Sequence, residues 1–334
     1  MSAKPSVLVT GGAGYIGSHC CKALLEAGYN PVCYDNLATG HRDFVRWGPF
    51  VSGDIRETDK LRETLRAHDV AAVMHFAAFS LVGESVADPQ KYYLNNVVGT
   101  VSLLQAMRDA GCARFVLSST GAVYGNAADR LISETDRCEP INPYGSSKWM
   151  IEQILSDFRQ AYGFNSFCLR YFNASGADPS AVIGELRDPE THLIPRAMMA
   201  LQGHADFSIF GDDYDTPDGT AIRDYIHVTD LAAAHVLALK LLLEGHAGGS
   251  FNLGTGNGFS VRQILAAIAQ ETGRSVPQSV KPRRPGDPPV LVADPQRARE
   301  VLKFQVRHSD LPTIVRTAWA WHQRAHPAKA SASV

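Results

Sequence analysis

A tyrosine and a lysine four residues apart, Tyr144 and Lys148, have the types and the spacing for proton-transfer chemistry. Residues i and i+4 of a helix lie on the same face, so the phenol and the ammonium would share one space. A phenol has a pKa near 10, so a base at pH 7 needs its pKa lowered by about three units, or roughly 4 kcal/mol. A nearby ammonium and a positively charged ring stabilise a phenolate in this way. The pair predicts a general base; the alternative is an exposed contact on a helix surface.

A glycine-rich loop at positions 10–17 has the spacing that a dinucleotide requires. Gly11, Gly14 and Gly17 allow a sharp turn, the approach of a pyrophosphate to bare backbone, and close packing of a helix on a strand. Asp35 follows about 20 residues later, where a carboxylate accepts hydrogen bonds from an adenosine ribose. Because a carboxylate repels a 2′-phosphate, we expect NAD rather than NADP. The alternative is a tight turn followed by a surface aspartate.

Alternating strand and helix patterns must position these side chains. The predicted strands are 6–10, 31–34, 69–75 and 113–118, and the predicted helices are 18–27, 59–66, 96–110 and 143–162. Near-continuous apolar strands separated by helices predict an α/β fold with a doubly wound parallel sheet, covered on both faces. The last of these strands would bring Thr120 to the site, where its hydroxyl can hold a substrate oxygen. Serine and threonine also follow strands for turn reasons alone, so this assignment depends on the partners of Thr120.

The alternation loosens after Tyr171. Gly, Pro and Asp accumulate in 173–189 and in 211–220, which predicts long functional loops. A late strand pattern at 250–253 returns to the first part, so we expect two interleaved domains. A cofactor-binding domain would comprise 1–172 with about 223–254, and a smaller α/β substrate domain would comprise 173–222 and 255–325.

The composition limits the classes of function. The chain has 334 residues, 45% of them hydrophobic, with 32 basic and 34 acidic residues and a net charge of −2, so neither disorder nor nucleic-acid or anionic-membrane binding is indicated. None of the six cysteines forms a C-x-x-C, so we expect no metal site and no disulfide framework. The first ten residues lack a targeting pattern, and the apolar stretch 231–243 is too short to span a bilayer. We expect a cytoplasmic protein.

Further motifs occur in order along nearly the whole chain, at positions 10–17, 35–37, 53–55, 75–78, 123–125, 144–148, 169–173, 192–195, 218–220, 223–228, 251–254 and 282–287. The glycine spacing matches the extended short-chain dehydrogenase/reductases, and the set resembles the UDP-glucose (UDP-galactose) 4-epimerase family within that superfamily. The motifs before Asn173 are shared by many nucleotide-sugar enzymes. The D-G-T, R-D-Y-I-H-V and R-R-x-G-D segments are more specific to the epimerases.

The resemblance implies a Rossmann-type fold with a tightly bound NAD that is regenerated in each cycle. Tyr144 would take the proton of the sugar 4-hydroxyl while hydride leaves C4, Thr120 would hold the 4-oxygen, and Lys148 would hold the nicotinamide ribose. The 4-keto sugar would then turn over and receive hydride on its other face. The implied cofactor-binding residues are Gly11, Gly14, Tyr15, Ile16, Gly17, Asp35, Asn36, Asp54, Ile55, Phe76, Ala77, Ala78, Ser80, Asn95, Ser118, Tyr144, Lys148 and Tyr171.

The implied substrate-binding residues are Thr120, Asn173, His192, Leu193, Ser208, Phe210, Arg223, Arg284, Asp287 and Leu291. Among them, Arg223 and Arg284 suit diphosphate oxygens, because a guanidinium offers planar, bidentate donors. Each arginine taken alone could equally be a solvated surface charge. By family correspondence, Asp287 would accept a hydrogen bond from the uridine ribose.

Two departures from the family pattern bear on function. Ser80 stands where some epimerases have a lysine near the pyrophosphate, so one ionic contact is expected to be missing. Leu291 corresponds to a position beside the sugar C2 substituent, where an aromatic side chain excludes N-acetyl groups and a small one admits them. Leucine is intermediate, so an epimerase of UDP-GlcNAc or of a UDP-pentose is an open alternative.

Two further readings share the same fold. A nucleotide-sugar dehydratase or decarboxylase typically carries an acid two residues after the threonine, or an Asp-Glu pair, whereas Gly121 and Ala122 follow Thr120 here. A non-catalytic NAD-binding sensor usually lacks the tyrosine or the lysine, and both are present.

The helices at 96–110 and 144–162 resemble the pair that forms a four-helix bundle in family dimers, so the resemblance also implies a homodimer.

Overall fold

A computed structural model describes residues 4–126, 130–284 and 287–326. The strands in these ranges are β1 (Ser6–Thr10), β2 (Asn30–Asp35), β3 (Phe50–Ser52), β4 (Val70–His75), β5 (Arg114–Thr120), β6 (Asn165–Tyr171), β7 (Asn173–Ser175), β8 (Ser208–Phe210), β9 (Ile222–Arg223), β10 (Tyr225–His227), β11 (Gly248–Leu253), β12 (Phe259–Ser260), β13 (Ser279–Lys281) and β14 (Val290–Leu291). The α-helices are α1 (Tyr15–Glu26), α2 (Thr58–Ala67), α3 (Val82–Ala87), α4 (Pro89–Tyr92), α5 (Gly99–Ala110), α6 (Pro143–Tyr162), α7 (Leu193–Leu201), α8 (Val228–Leu243), α9 (Val261–Thr272) and α10 (Leu311–Ala325).

Seven parallel strands form the central sheet in the order β3-β2-β1-β4-β5-β6-β11. The chain builds β1 to β3 toward one edge and then returns to place β4 on the other side of β1. Loops at the carboxyl ends of β1 and β4 therefore diverge and leave a crevice, which is where ligands bind in sheets of this kind. The predicted α/β fold with a doubly wound parallel sheet is confirmed.

Both faces of the sheet are buried, because successive side chains of a strand point to opposite sides. Val7 and Val9 of β1 pack in one core with α1 and α8. Leu8, between them, packs in a second core with α2, α5 and α6. This arrangement explains why the strand at 6–10 is apolar at successive positions instead of alternating.

The remaining strands form three small sheets beside the large one. These pair β7 with β10, β8 with β13, and β9 with both β12 and β14. Helices α7, α9 and α10 pack together around a third core that includes Ile194, Ile264 and Ile314. Along the chain, β7 to β10 lie between β6 and β11. The chain therefore leaves the large sheet after β6 and returns to it with β11. The domain boundaries predicted above stay a prediction.

Most predicted elements lie within two or three residues of their observed bounds, and α6 begins and ends where expected. The predicted helix at 96–110 is the exception, since a π-helical stretch, Tyr93–Val98, joins α4 to α5 and makes one longer helical segment. The elements α3, α4, β3, β6 to β10, β12 to β14 and α7 to α10 were not predicted. Residues 285 and 286 of the motif at 282–287 lie outside the described ranges. Within those ranges, no helix is long and apolar enough to cross a membrane.

A buried ion pair joins α6 to the sheet. A guanidinium nitrogen of Arg170 in β6 lies 2.6 Å from a carboxylate oxygen of Glu152 in α6, and the two side chains are 4% and 3% exposed. Glu152 also accepts hydrogen bonds from Ser119 of β5 at 2.6 Å and from Ser250 of β11 at 3.0 Å. Arg170 donates a further bond to the hydroxyl of Tyr124 at 2.8 Å. These bonds fix α6 relative to three adjacent strands.

Glu152→Ala is expected to lower the free energy of unfolding by about 3–5 kcal/mol, because it leaves a buried guanidinium without its carboxylate. Glu152→Leu combined with Arg170→Met should be less destabilising than Glu152→Ala, since no buried charge then remains unpaired. Guanidinium-unfolding midpoints measure both effects. Asp59→Ala, which breaks the solvent-exposed pair with Arg62, is the control and should cost less than about 1 kcal/mol. Equal losses for the buried and the exposed pair would contradict the prediction.

Candidate active site

The glycine loop places bare backbone at the start of α1. Gly11 has a φ of +75°, and a Cβ there would lie 2.6 Å from the backbone nitrogen of Ala77. A Cβ on Gly17 would lie 2.1 Å from the carbonyl oxygen of Gly11, so α1 packs directly on the turn. Gly14 is the N-cap of α1 and no side chain caps the helix, which leaves the N–H groups at this end free for an anion. Tyr15 and Ile16 form the first turn of α1.

Asp35 ends β2 and ties this strand to the glycine loop. Its carboxylate accepts hydrogen bonds from the backbone N–H of Ala13 at 3.0 Å and of Leu37 at 2.8 Å. Burial raises the pKa of Asp35, and the two backbone hydrogen bonds oppose that rise. A carboxylate has about four lone-pair sites, so acceptor capacity remains for a ribose hydroxyl.

A second polar group lies after β3, beyond Asp35. The side chain of Asn36 donates to Asp54 at 3.0 Å, and Arg56 makes two hydrogen bonds of 2.8 Å to the same carboxylate. The hydrogen bonds of Arg56 lower the pKa of Asp54 to about 2. Ile55 is buried beside this group. The structure thus brings together Asn36, Asp54 and Ile55, three of the predicted cofactor-binding residues.

The loop after β4 forms the other wall of the crevice and carries Phe76, Ala77, Ala78 and Ser80. Asn96 holds this loop: its side chain accepts from the N–H of Phe79 at 2.9 Å and donates to the carbonyl of Phe79 at 3.0 Å. The same amide donates to Ser147 of α6 at 3.1 Å. Asn95, named by the resemblance, donates to Asn96 at 3.0 Å. Asn96 was not among the predicted residues, because nothing in a helical pattern distinguishes one of two adjacent asparagines.

Lys148 points into the protein and away from water. Its ammonium donates to the backbone carbonyl of Ser118 at 2.9 Å. Burial lowers the pKa of Lys148 to about 8, and the charge of Glu152, one turn further along α6, opposes that shift. The hydroxyls of Ser118 and Tyr171 lie 2.5 Å apart beside it. The predicted residues Ser118, Lys148 and Tyr171 therefore form one group at the carboxyl ends of β5 and β6.

Tyr144 starts α6 one turn before Lys148, after Pro143 at the first helical position. Burial raises the pKa of Tyr144, while a hydrogen bond from Thr120 and the charge of Arg187 lower it. Thr120 ends β5, and its hydroxyl oxygen accepts a hydrogen bond from the N–H of Ala122 at 3.1 Å. Burial thus opposes the phenolate form of Tyr144, and additional positive charge near the phenol would favour it.

An arginine that the sequence analysis did not identify reaches this region from the segment between β7 and α7. Arg187 donates to Ser80 at 3.3 Å and to the buried carboxylate of Glu185 at 2.9 Å. The Nδ1 of His192, a predicted substrate-binding residue, lies 2.6 Å from the same carboxylate, and Glu185 raises the pKa of His192. Within the described residues, Glu185, Glu190 and His192 also have the spacing of a metal site. Because Arg187 already balances Glu185, we interpret the group as an ion-pair cluster.

The remaining predicted residues form two further groups. Arg223 donates to Asp287 and to the carbonyl of Pro288 at 2.8 Å, and its strand β9 pairs with β14 so that Arg223 is opposite Leu291. The guanidinium of Arg284 lies 4.1 Å from the ring centre of Phe210. Ser208 begins the strand that ends at Phe210, and Leu193 begins α7.

Asn173 connects the Arg223 group to the large sheet. Its side-chain amide donates to the backbone carbonyl of Asp224 at 3.1 Å, next to Arg223. Asn173 also lies two residues after the end of β6, whose last residue, Tyr171, contacts Ser118 beside Lys148. One predicted substrate-binding residue is thus common to both parts of the site.

The chain is similar in sequence and in fold to proteins of one family. A sequence profile described as "NAD dependent epimerase/dehydratase family" matches residues 7–254. The chain is 51% identical over 322 residues to a UDP-glucose 4-epimerase of Rhizobium leguminosarum bv. trifolii, covering 96% of this chain and 98% of the relative.

Two solved structures are also similar to the chain. The UDP-glucose 4-epimerase from Brucella ovis in complex with NAD has a TM-score of 0.93 and 55% identity, covering 94% of this chain and 97% of that one. The UDP-glucose-4-epimerase from Stenotrophomonas maltophila, with bound NAD and formylated UDP-arabinopyranose, has a TM-score of 0.94 and 40% identity, covering 97% and 100%.

Lys148→Met is expected to stabilise the fold at neutral pH, because it removes a buried ammonium. The folded-state pKa of about 8 lies below the unfolded value, so the charged lysine destabilises the protein fully below pH 8. Wild-type stability should therefore rise between pH 8 and about 10.4, and the variant should lack this rise. At pH 7 we expect a gain of about 1–3 kcal/mol, reduced by the lost bond to Ser118.

Unfolding midpoints in guanidinium across this pH range measure the difference. Lys240→Met, at an exposed lysine on α8, is the matched control and should change neither the stability nor its pH dependence. A Lys148→Met protein that is less stable at pH 7, with the wild-type pH dependence, would show that the ammonium is not penalised by burial.

Proposed function

The chain belongs to the NAD dependent epimerase/dehydratase family, and on that basis we propose that it interconverts UDP-glucose and UDP-galactose at C4. The observation that supports the proposal is that Thr120, at the end of β5, and Lys148, bonded to the carbonyl of Ser118, lie at the same carboxyl edge of the sheet as the glycine loop after β1. Near-full-length identity to UDP-glucose 4-epimerases supports the same reaction. The enzyme would be an isomerase, with NAD regenerated in each turnover.

The residues at the crevice fit a dinucleotide. The uncapped N-terminus of α1 offers backbone N–H groups to a pyrophosphate, and the space that Cβ atoms on Gly11 and Gly17 would fill is taken by backbone. Asp35 would accept from the adenosine ribose, and Lys148 would hold the nicotinamide ribose. When bound, NAD supplies an acceptor for the C4 hydride and a donor that returns it.

Tyr144 would act as the base that removes the proton of the 4-hydroxyl. Thr120, at the end of the neighbouring strand β5, would hold the same sugar oxygen and align it with the phenol. The buried ammonium of Lys148 stabilises negative charge on this side of α6, although the chain alone leaves the pKa of Tyr144 raised. A positive charge bound beside Tyr144 would further favour its phenolate form.

The nucleotide and the sugar would be held with different firmness. Arg223 and Arg284 lie in the two groups of the smaller sheets and would bind the diphosphate, while Phe210 and Asp287 would line the nucleotide site. Hydroxyls near C4 would hold the sugar more loosely. Firm binding of the nucleotide keeps the 4-keto sugar in the site while it turns to present its other face.

The identity of the sugar is the finer part of the proposal. Leu291 is opposite Arg223 in the β9–β14 pair and packs against a hydrophobic cluster formed by Val123, Tyr124 and Ile132. A leucine there leaves UDP-GlcNAc and UDP-pentoses as alternative substrates. The Stenotrophomonas relative with a bound UDP-arabinopyranose derivative keeps the pentose alternative open.

The other readings have less support. A Cβ on Gly121 would lie 2.6 Å from the ring of Phe172, so no acidic side chain fits at the first position after Thr120. The elimination chemistry of a dehydratase therefore has no acid at this position. Tyr144 and Lys148 are both present at the crevice, which does not favour a sensor without catalysis.

We also propose that the protein is a cytoplasmic homodimer. Leu94, Val98 and Val101 are 44%, 48% and 37% exposed and recur at the spacing of one helix face. Met150 of α6, 40% exposed, adds to the same kind of surface. Contact between copies would remove this apolar stripe from water.

The cysteines are all free and mostly buried, which suits a reducing compartment.

Tyr144→Phe is the sharpest test of the proposed reaction. It should keep NAD in the purified protein but reduce the interconversion of UDP-glucose and UDP-galactose by about 10²–10⁴-fold, the usual contribution of a general base. Tyr162→Phe, at the exposed end of the same helix, is the matched control. Near-normal turnover by Tyr144→Phe would remove Tyr144 from the proposed role.

The sugar is identified by assaying the wild type with UDP-glucose, UDP-galactose, UDP-GlcNAc and UDP-pentoses, without added NAD. Fastest turnover of the UDP-glucose and UDP-galactose pair is the expected result. A clear preference for an N-acetylated sugar or a pentose would replace the proposed substrate but retain the chemistry.

Val98→Glu tests the dimer, since a carboxylate on the apolar stripe opposes its burial against a second copy. We expect the variant to sediment as a monomer with an unchanged fold. Glu63→Gln, a change on the surface of α2, is the control. A wild type that is monomeric at micromolar concentration would contradict the proposal.

A further inference from the structure

Residues 176–187, here called the strap, end between the two loops that border the crevice. The carbonyl of Leu186 accepts a hydrogen bond of 3.0 Å from the ring of His41, which follows β2. The next residue, Arg187, donates to the hydroxyl of Ser80, in the loop after β4, at 3.3 Å. Because β2 and β4 flank β1 in the sheet, the end of the strap joins the loops on either side of the glycine loop.

The strap is also attached to the glycine loop and to α1. The backbone N–H of His41 donates to the carbonyl of Ala13 at 2.9 Å, so His41 binds both the strap and the glycine loop. At the other end of the strap, the carbonyl of Gly176 accepts a hydrogen bond of 2.6 Å from the hydroxyl of Tyr15. Tyr15 lies in the first turn of α1, where no side chain caps the helix and backbone N–H groups are free for an anion.

Arg187 has a fixed position and spare donors. Its guanidinium donates to the buried carboxylate of Glu185 at 2.9 Å, and the carbonyl of Glu185 accepts from the indole of Trp321 at 2.7 Å. Among the described residues, Glu185 and Ser80 use two of the five N–H donors of the guanidinium. The side chain of Arg187 is 27% exposed, so donors remain for a ligand. Glu185 also binds the ring of His192, so its charge is shared between two partners.

The loop after β4 lies directly against the glycine loop. A Cβ on Gly11 would lie 2.6 Å from the backbone nitrogen of Ala77, so the two loops touch through bare backbone. Ser80 follows Ala77 by three residues and carries no charge. By binding Ser80, Arg187 therefore brings a cation from a distant part of the chain to this wall of the crevice.

We propose that Arg187 binds the diphosphate of NAD and that the strap, which holds this guanidinium at the crevice, slows the release of the cofactor. This inference rests on the NAD binding of the proposed function. The guanidinium would act together with the free N–H groups of α1, because its planar donors suit phosphate oxygens. The ionic contact that Ser80 does not provide would in this way come from the strap.

The test measures cofactor retention without turnover. The wild type, Arg187→Gln and Arg187→Lys are purified in parallel, and the NAD that remains per chain is extracted with acid and measured during dialysis. We expect Arg187→Gln to release NAD about 10- to 100-fold faster than the wild type, the usual effect of losing one hydrogen bond to a charged group. Arg187→Lys should have an intermediate rate, because it keeps the charge but not the planar donors.

The matched control is Arg196→Gln, since Arg196 donates to the carbonyl of Asp206, and this variant should retain NAD as the wild type does.

A second-site variant separates the charge of Arg187 from its attachment of the strap. Ser80→Lys in the Arg187→Gln protein returns a cation to this wall from the loop after β4, without the guanidinium of the strap. We expect this double variant to recover most of the lost retention. Added salt should speed release from the wild type more than release from Arg187→Gln, because ionic contacts are screened.

Two results would overturn the inference. The first is unchanged NAD release from Arg187→Gln. The second is fast release that neither Arg187→Lys nor the Ser80→Lys double variant slows, which would make Arg187 an attachment of the strap alone. A wild type that retains NAD but epimerises no UDP-sugar would overturn the proposed reaction only, since the release rates still decide the role of Arg187. A wild type that contains no NAD and binds none would overturn both.

Discussion

The buried pair of Glu152 and Arg170 is the interaction on which the geometry of the site depends. Two charges removed from water must be matched closely, and here their partners come from α6, β5, β6 and β11. Tyr144 and Lys148 lie two turns and one turn before Glu152 on the same helix. Because the pair fixes α6 against the sheet, the phenol and the ammonium are presented by a rigid element.

Burial acts on the two key side chains in opposite senses. It lowers the pKa of Lys148 and raises the pKa of Tyr144, since in each case it disfavours the charged form. Each shift works against the proposed chemistry until opposite charge is nearby. Glu152 supports the charged form of Lys148, and Arg187 supports the charged form of Tyr144. In the chain alone, burial thus disfavours the phenolate form of Tyr144.

Local rules explain what the sequence predicts well. The glycine loop and α6 follow from short-range requirements: a positive φ at Gly11, Pro143 at the start of a helix and Gly163 at its end. Arg187 and Asn96 could not be predicted, because their partners Ser80 and Ser147 are distant in sequence and meet only in the folded chain. The raised pKa of Tyr144 depends equally on burial, which spacing does not reveal. The family resemblance named the site residues, whereas the charges that act on them required the structure.

The late position of β11 has a consequence for how the protein is made. Its strand pairs Phe251 with Leu169 of β6, across a segment that includes β7 to β10 and α8. During synthesis, Glu152 and Arg170 emerge long before Ser250, so the edge of β6 stays uncovered while the intervening chain is added. Exposed strand edges in nascent chains invite pairing with other chains. The interleaved order therefore exposes the edge of β6 during translation until β11 has been synthesised. Rapid elongation or chaperones would protect the edge during this time.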